Sequence, residues 1–278
     1  MEGLKLDSEN VWNSCNIHLL EWIDRSKIDL QTFYLNPNTI SYIENNYKIE
    51  DIDYTLWWVL SMNPSAIHLL ESHQDKINWW ALSMNSGAVH LLEQNPDKIN
   101  WNMLSENPGA IHLIEQNIEK VDWEVLSKNP AAIHLLEENQ DRISWAHLSR
   151  NPKAIELIKA NPGEINWHYL SLNPMAIDIL KENPDKIVWS ALSSNPSAMD
   201  LLKENIDKID WKLLSLNPSA LYLLKENQDK IDWKQFSKNP GIIKPKVNTE
   251  FLKERVSIFR DDLLKETWHP DRFEEWCL

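Results

Sequence analysis

An asparagine recurs every 22 residues, at 63, 85, 107, 129, 151, 173, 195, 217 and 239, and no other feature constrains the fold as tightly. A tryptophan keeps the same clock from Trp57 through Trp79 and Trp101 to Trp233, and a serine does so from Ser61 to Ser237. Eight units of 22 residues fill 63–238 without insertion or deletion. The unit reads roughly Asn-Pro-x-Ala-Ile-x-Leu-Leu-x-x-Asn-x-Asp-Lys-Ile-x-Trp-x-x-Leu-Ser-x. A period of this length marks a supersecondary unit whose copies must cover one another.

Each unit reads as two short helices. Asn63 suits an N-cap and Pro64 the first helical position, where a missing N–H costs nothing. Ala66, Ile67, Leu69 and Leu70 then share one apolar face. The helix should end near His73, a position that is Asn in the seven later units and that suits the left-handed conformation found at helix ends. The second helix follows a capping residue: Asn78, Asn100, Asp122, Ser144, Asn166, Asp210 or Asp232, with Val188 the exception. It has barely six residues, so a 3₁₀ turn is an alternative to α. Apolar spacings of 3 and 4, never 2, argue against strands.

Helices this short are marginal in isolation. Burying each larger apolar side chain is worth roughly 1.5–3 kcal/mol, a gain that exists only under a neighbouring unit. The fold class is therefore all-α, a solenoid with a Trp-Leu-Ile core. At about 8–10 Å per layer it would form a rod or arc on the order of 80–100 Å long. Three regions follow: divergent N-terminal repeats over 1–62, eight regular repeats over 63–238, and a partial repeat with a helical cap over 239–278. Ile17–Glu21 with Ile28 looks like a worn first unit in which Leu30 replaces the Trp, and Asn36-Pro37 opens a second, stretched by five residues. Pro245 cuts the last repeat short, and an amphipathic helix at about 250–266 could cover it.

Positions held fixed from unit to unit carry the stacking, and varied ones are available to a partner. His68, His90, His112 and His134 stand on the outward side of four successive first helices, each with a glutamate three residues later (Glu71, Glu93, Glu115, Glu137). His-x-x-Glu on one helical face could bind a metal or sense pH, but stacked units hold successive histidines about 10 Å apart. A solvated face with i,i+3 contacts is the simpler expectation. From residue 155 onward the rows become Glu156, Asp178, Asp200 and Tyr222 against Lys159, Lys181, Lys203 and Lys225. The second helices hold the freest positions. Large apolar groups recur there without being required by stacking, which makes Trp80, Met103, Tyr169, Leu172, Leu213 and Leu216 the candidate partner-binding residues.

Composition excludes several roles. With 42 acidic residues against 28 Lys plus Arg, the net charge is −14, which disfavours nucleic acid and anionic lipid as partners. Two cysteines make no disulfide framework and suit a reducing compartment. No apolar run approaches the roughly 20 residues needed to span a bilayer, and residues 1–10 show no signal pattern. Catalytic motifs are missing: no glycine-rich phosphate loop, no Gly-x-Ser-x-Gly, no His-Glu-x-x-His and no Cys-x-x-Cys. The expectation is a non-enzymatic protein with no catalytic residue, metal or cofactor.

In Asn-Pro-x-Ala-Ile-His-Leu-Leu-Glu and Lys-Ile-x-Trp-x-x-Leu-Ser, the chain resembles short repeat proteins present in many copies in giant viruses of protists and algae. The tail Trp268-His269-Pro270-Asp271-Arg272 through Trp276 resembles a Trp-His-Pro-x-Arg-x-x-x-Trp segment of the same genomes. The resemblance implies a viral origin and a helical solenoid, and assigns no active or binding residues. The expected role is a scaffold for a host or viral protein in the cytoplasm of an infected cell. A virion or assembly component that self-associates through its capped ends is the alternative, and a metal- or pH-responsive module on the His rows is a weaker one.

Overall fold

The computed structural model describes residues 19–33, 36–40, 44, 48 and 52–243. The expected helix at about 250–266 and the terminal Trp-His-Pro segment lie outside the described residues, as do residues 1–18. What is described is all-α and repetitive. Its only β pairing is an isolated bridge between Leu19 and Ile243.

Each unit contains more turns of helix than its sequence pattern suggests. The Asn-Pro corner is a 3₁₀ turn, Pro64–Ala66, that passes directly into an α-helix, Ile67–Ser72. A second 3₁₀ turn, Gln74–Lys76, precedes the short helix Trp79–Leu82, which is α and not 3₁₀. The first helices do not end in the left-handed region. No non-glycine residue among those described has positive φ. Asn95 instead stops its helix at φ −134°, its side-chain Nδ2 donating 3.0 Å back to the Leu91 carbonyl. Second-helix caps behave as the sequence implies, for example Asp122 accepting from the Val125 N–H. Ser144 is the exception: it makes no cap bond, because its hydroxyl pairs with His147 Nδ1 at 2.9 Å.

Two buried polar ladders join the units. The Asn129 side-chain Oδ1 accepts from the Ala131 N–H at 3.0 Å, and its Nδ2 donates backward to the Ser105 and Asn107 backbone carbonyls at 3.0 and 3.2 Å. Ser105 donates to the Trp101 carbonyl at 2.7 Å and accepts the Asp122 N–H of the next unit at 3.0 Å. One small hydroxyl thus closes its own helix and receives its neighbour. Every Asn and Ser of these rows is buried, which is tolerable only because their polar atoms are paired.

The core differs from the expected Trp-Leu-Ile stack. Ala66, Leu70 and Leu82 and their counterparts are wholly buried, whereas most repeat tryptophans are half-buried at the core's edge. An indole can bury its rings fully only if its N–H finds a partner. Trp57 and Trp123, the two that do go under, leave Nε1 without one. An indole at the core's edge avoids that cost.

The expected open rod or arc is not what forms: the array from residue 19 to residue 243 closes. Residues 19–39 pack in repeat register beyond the last regular unit. The Asn36 Nδ2 donates to the Asn239 carbonyl at 2.8 Å, as each Asn does to its predecessor, and the Asp29 N–H donates to Ser237 Oγ at 2.9 Å, as Asp122 does to Ser105. Thr32 bonds the Lys234 carbonyl, Leu20 the Ile242 carbonyl, and Trp22 packs against Phe236 with centroids 5.7 Å apart. The interrupted repeat that begins at Asn239 is thus completed by Leu19–Phe33, one unit built from two distant pieces of chain. Eight residues after Asn36, Glu44 pairs with His68 of the first regular repeat. Eight residues reach at most about 29 Å, yet a straight stack would hold the turns at 63 and 239 about 65–80 Å apart. The stack must come full circle.

Successive units lie close together between their second helices, as Trp167–Leu172 does to Trp189–Ser193, and at the Asn-Pro corners, as Pro108–Ala110 does to Pro130–Ala132. A Cβ on Gly109 would lie 2.8 Å from the Ser86 carbonyl oxygen. We expect Gly109→Val to cost about 1–3 kcal/mol through this crowding. Urea unfolding measures it, and an unchanged midpoint would show the corner to be slack.

Candidate functional site

Two sets of outward residues emerge. The first lies on the first helices. His90 Nε2 contacts Glu71 at 2.9 Å, His112 contacts Glu93 at 2.7 Å and His134 contacts Glu115 at 2.8 Å, while His68 pairs with Glu44. The expected i,i+3 contacts within one helix are therefore replaced by contacts to the preceding unit. The row ends at Glu137, because the next unit places Glu156 where a histidine would stand. Each histidine meets one carboxylate, and among the described residues no group of three or more His, Cys, Asp or Glu is placed to hold a metal. In the later units Lys159 does reach Glu156 at 3.0 Å and Lys203 reaches Asp200 at 3.6 Å, both i,i+3. Exposed Tyr222 bonds Glu226, whose carboxylate raises its pKa.

The second set lies on the second helices. Of the six residues singled out from sequence, only Trp80 is exposed, at 45%. Met103, Tyr169, Leu172, Leu213 and Leu216 are half-buried. Tyr169 is sandwiched by its neighbours: the rings of His147 and His168 lie with centroids 5.5 Å from it, and His147 reaches Glu124 at 3.4 Å. Tyr222, placed on the outward row from sequence, is exposed, whereas exposed Tyr54, Met175 and Ile206 escaped sequence reasoning, because repeat position alone does not report how far a neighbouring unit reaches.

Sequence reasoning also missed a third row with a clear signal, the lysine before each Ile of the unit. Lys98 Nζ stands 4.5 Å over the Trp79 ring, Lys120 4.8 Å over Trp101, Lys208 4.4 Å over Trp189 and Lys230 4.5 Å over Trp211. Arg142 covers Trp123 in the same way, and Lys27 covers Trp233 across the closure. Six repeat indoles, the buried Trp123 among them, are thus roofed by a cation from the next unit. Glu164 occupies this position opposite Trp145. Glu164→Lys should therefore raise stability by about 0.5 kcal/mol. Urea titration would detect the shift, and a destabilised variant would contradict the roofing role.

Among the described residues no helix is long and apolar enough to cross a membrane. Compared with known protein families, curated proteins and solved structures, the chain matches none.

Proposed function

We propose that this chain is a non-enzymatic scaffold that presents the outward side of its second helices to another protein. The supporting observation is the contrast between fixed and varied positions. The Asn, Ser, Ala and Leu rows are buried and repeat almost without change. The position after each Trp runs Trp58, Trp80, Asn102, Glu124, Ala146, His168, Ser190, Lys212 and Lys234. A repeated core with varied surface rows is the layout of repeat proteins that bind along an extended surface. The repeat's resemblance to giant-virus proteins makes a host or viral protein the proposed partner, met in the cytoplasm of an infected cell. Proximity labelling in infected cells tests this. Reproducible enrichment of one protein, lost when the second-helix row is substituted, is the expected result. Labelling no different from an unrelated acidic protein of the same size would defeat it.

Self-association through capped ends, the structural alternative, has less to support it. Residues 19–39 of the same chain already occupy the face of the last repeat that a second copy would need. A solution mass above the monomer's 32.7 kDa would restore that reading.

A further inference from the structure

Resting on the scaffold reading, we infer that the aromatic and methionine surface at residues 54–106 docks an amphipathic segment of a protein partner that carries lysine or arginine beside its apolar residues. The surface begins on the helix Tyr54–Met62, where Tyr54, Trp58 and Met62 fall at i, i+4 and i+8 and so share one side. The next unit adds Trp80 and Met84 at the same i,i+4 positions. Tyr54 is 75% exposed, and its hydroxyl accepts from Asn78 Nδ2 at 2.7 Å, which ties it to the cap of the helix bearing Trp80. Trp80 differs from the neighbouring Trp79: Lys98 roofs Trp79, while no cation–π partner stands over Trp80 among the described residues.

Charge complementarity decides the occupant. From residue 49 to residue 119 the only cations are Lys76 and Lys98. Both sit in the three-residue turns before the second helices, and Lys98 is committed to Trp79. Carboxylates border the surface instead. Asp53 is exposed and caps the helix Tyr54–Met62 by accepting from the Leu56 N–H, Glu106 lies one unit beyond Met84 and is 3.7 Å from Lys128, and Glu124 has a side chain 68% exposed and 3.4 Å from His147. An uncovered indole and a phenol attract a cation over their faces, and the same partner's apolar residues fit the methionines, which adapt to varied shapes. An acidic or purely aliphatic segment offers no cation to the indole, the phenol or the bordering carboxylates.

The test uses the full chain and two synthetic peptides of one amphipathic helical pattern, Leu with Lys and its twin Leu with Glu, with binding read by fluorescence anisotropy. The Leu/Lys peptide should bind, the Leu/Glu twin should not, and Trp80→Ala should weaken binding about tenfold or more. Glu124→Gln should weaken it several-fold, while Asp229→Asn, an exposed carboxylate of a distant turn, should leave it unchanged. Unchanged circular dichroism establishes that each variant is folded. Equal binding to the wild type and Trp80→Ala, or equal weakening by Asp229→Asn, would overturn the site and leave only attraction to an acidic surface. Capture of a protein partner that persists with Trp80→Ala also overturns it, and leaves the scaffold reading standing.

Discussion

Phe33→Ala should destabilise the whole array from residue 19 to residue 243 by about 3–5 kcal/mol, the cost of emptying a wholly buried aromatic site. The larger consequence is where the loss is felt. Phe33 stands in the piece of chain that completes the unit begun at Asn239, so its removal loosens the closure itself. Amide exchange should accelerate in residues 217–243 as well as in 19–40, because the ladder bonds Asp29 to Ser237 and Asn36 to Asn239 hold both sides. In an open stack, residues 19–40 would fray alone and the last repeat would keep its protection. Exchange confined to 19–40, measured by mass spectrometry, would therefore show that the circuit is not closed in solution.

Asn151→Ala should be nearly as damaging, at about 2–5 kcal/mol. The amide makes three bonds: it accepts from the Lys153 N–H and donates to the Ser127 and Asn129 carbonyls at 3.1 and 3.0 Å. Alanine leaves the buried Ser127 carbonyl without its partner, at about 1–3 kcal/mol, and removes one bond, worth about 0.5–1 kcal/mol each, from the Lys153 N–H and from the Asn129 carbonyl, which keeps the Ala132 N–H. Asn161→Ala supplies the contrast within the same unit. That half-buried side chain makes a single bond to the Leu157 carbonyl at 3.0 Å, and losing it should cost about 1 kcal/mol. Urea midpoints of the two variants give the comparison. Similar losses would mean that the ladder carries no more than an ordinary helix-end bond.

Much of this was legible in the sequence. The period fixed the stacking, Asn-Pro fixed the corner of each unit, and the Asp or Asn before each Trp fixed the second-helix cap. The Asn and Ser rows could be read as structural because they never vary. What escaped was set by small differences between the edges of a unit. Ten units, counted from Asn36 round to the composite unit, complete a turn at about 36° each, a per-repeat rotation that no apolar spacing encodes. The worn first unit, Ile17–Glu21 with Ile28 and Leu30, was recognisable as a unit, but its described part, Leu19–Phe33, was not recognisable as the completion of the last one. Partner choice on the outer row escaped for a related reason. His90 has Glu71 and Glu93 within sequence reach, and only the inter-unit offset selects Glu71. The half-buried indoles follow from the unpaired N–H that full burial creates, a cost invisible to a hydrophobic pattern.

A stack with free ends can lengthen or shorten by whole copies, since each joint is indifferent to how many others exist. Closure removes that tolerance. Losing or gaining one copy would oblige all the remaining joints to open or tighten together, against amides that already bridge at about 3 Å. The copy number is thereby pinned by geometry, and recombination that changes it yields an array in which residues 29 and 36 no longer reach the serine and asparagine of the last repeat.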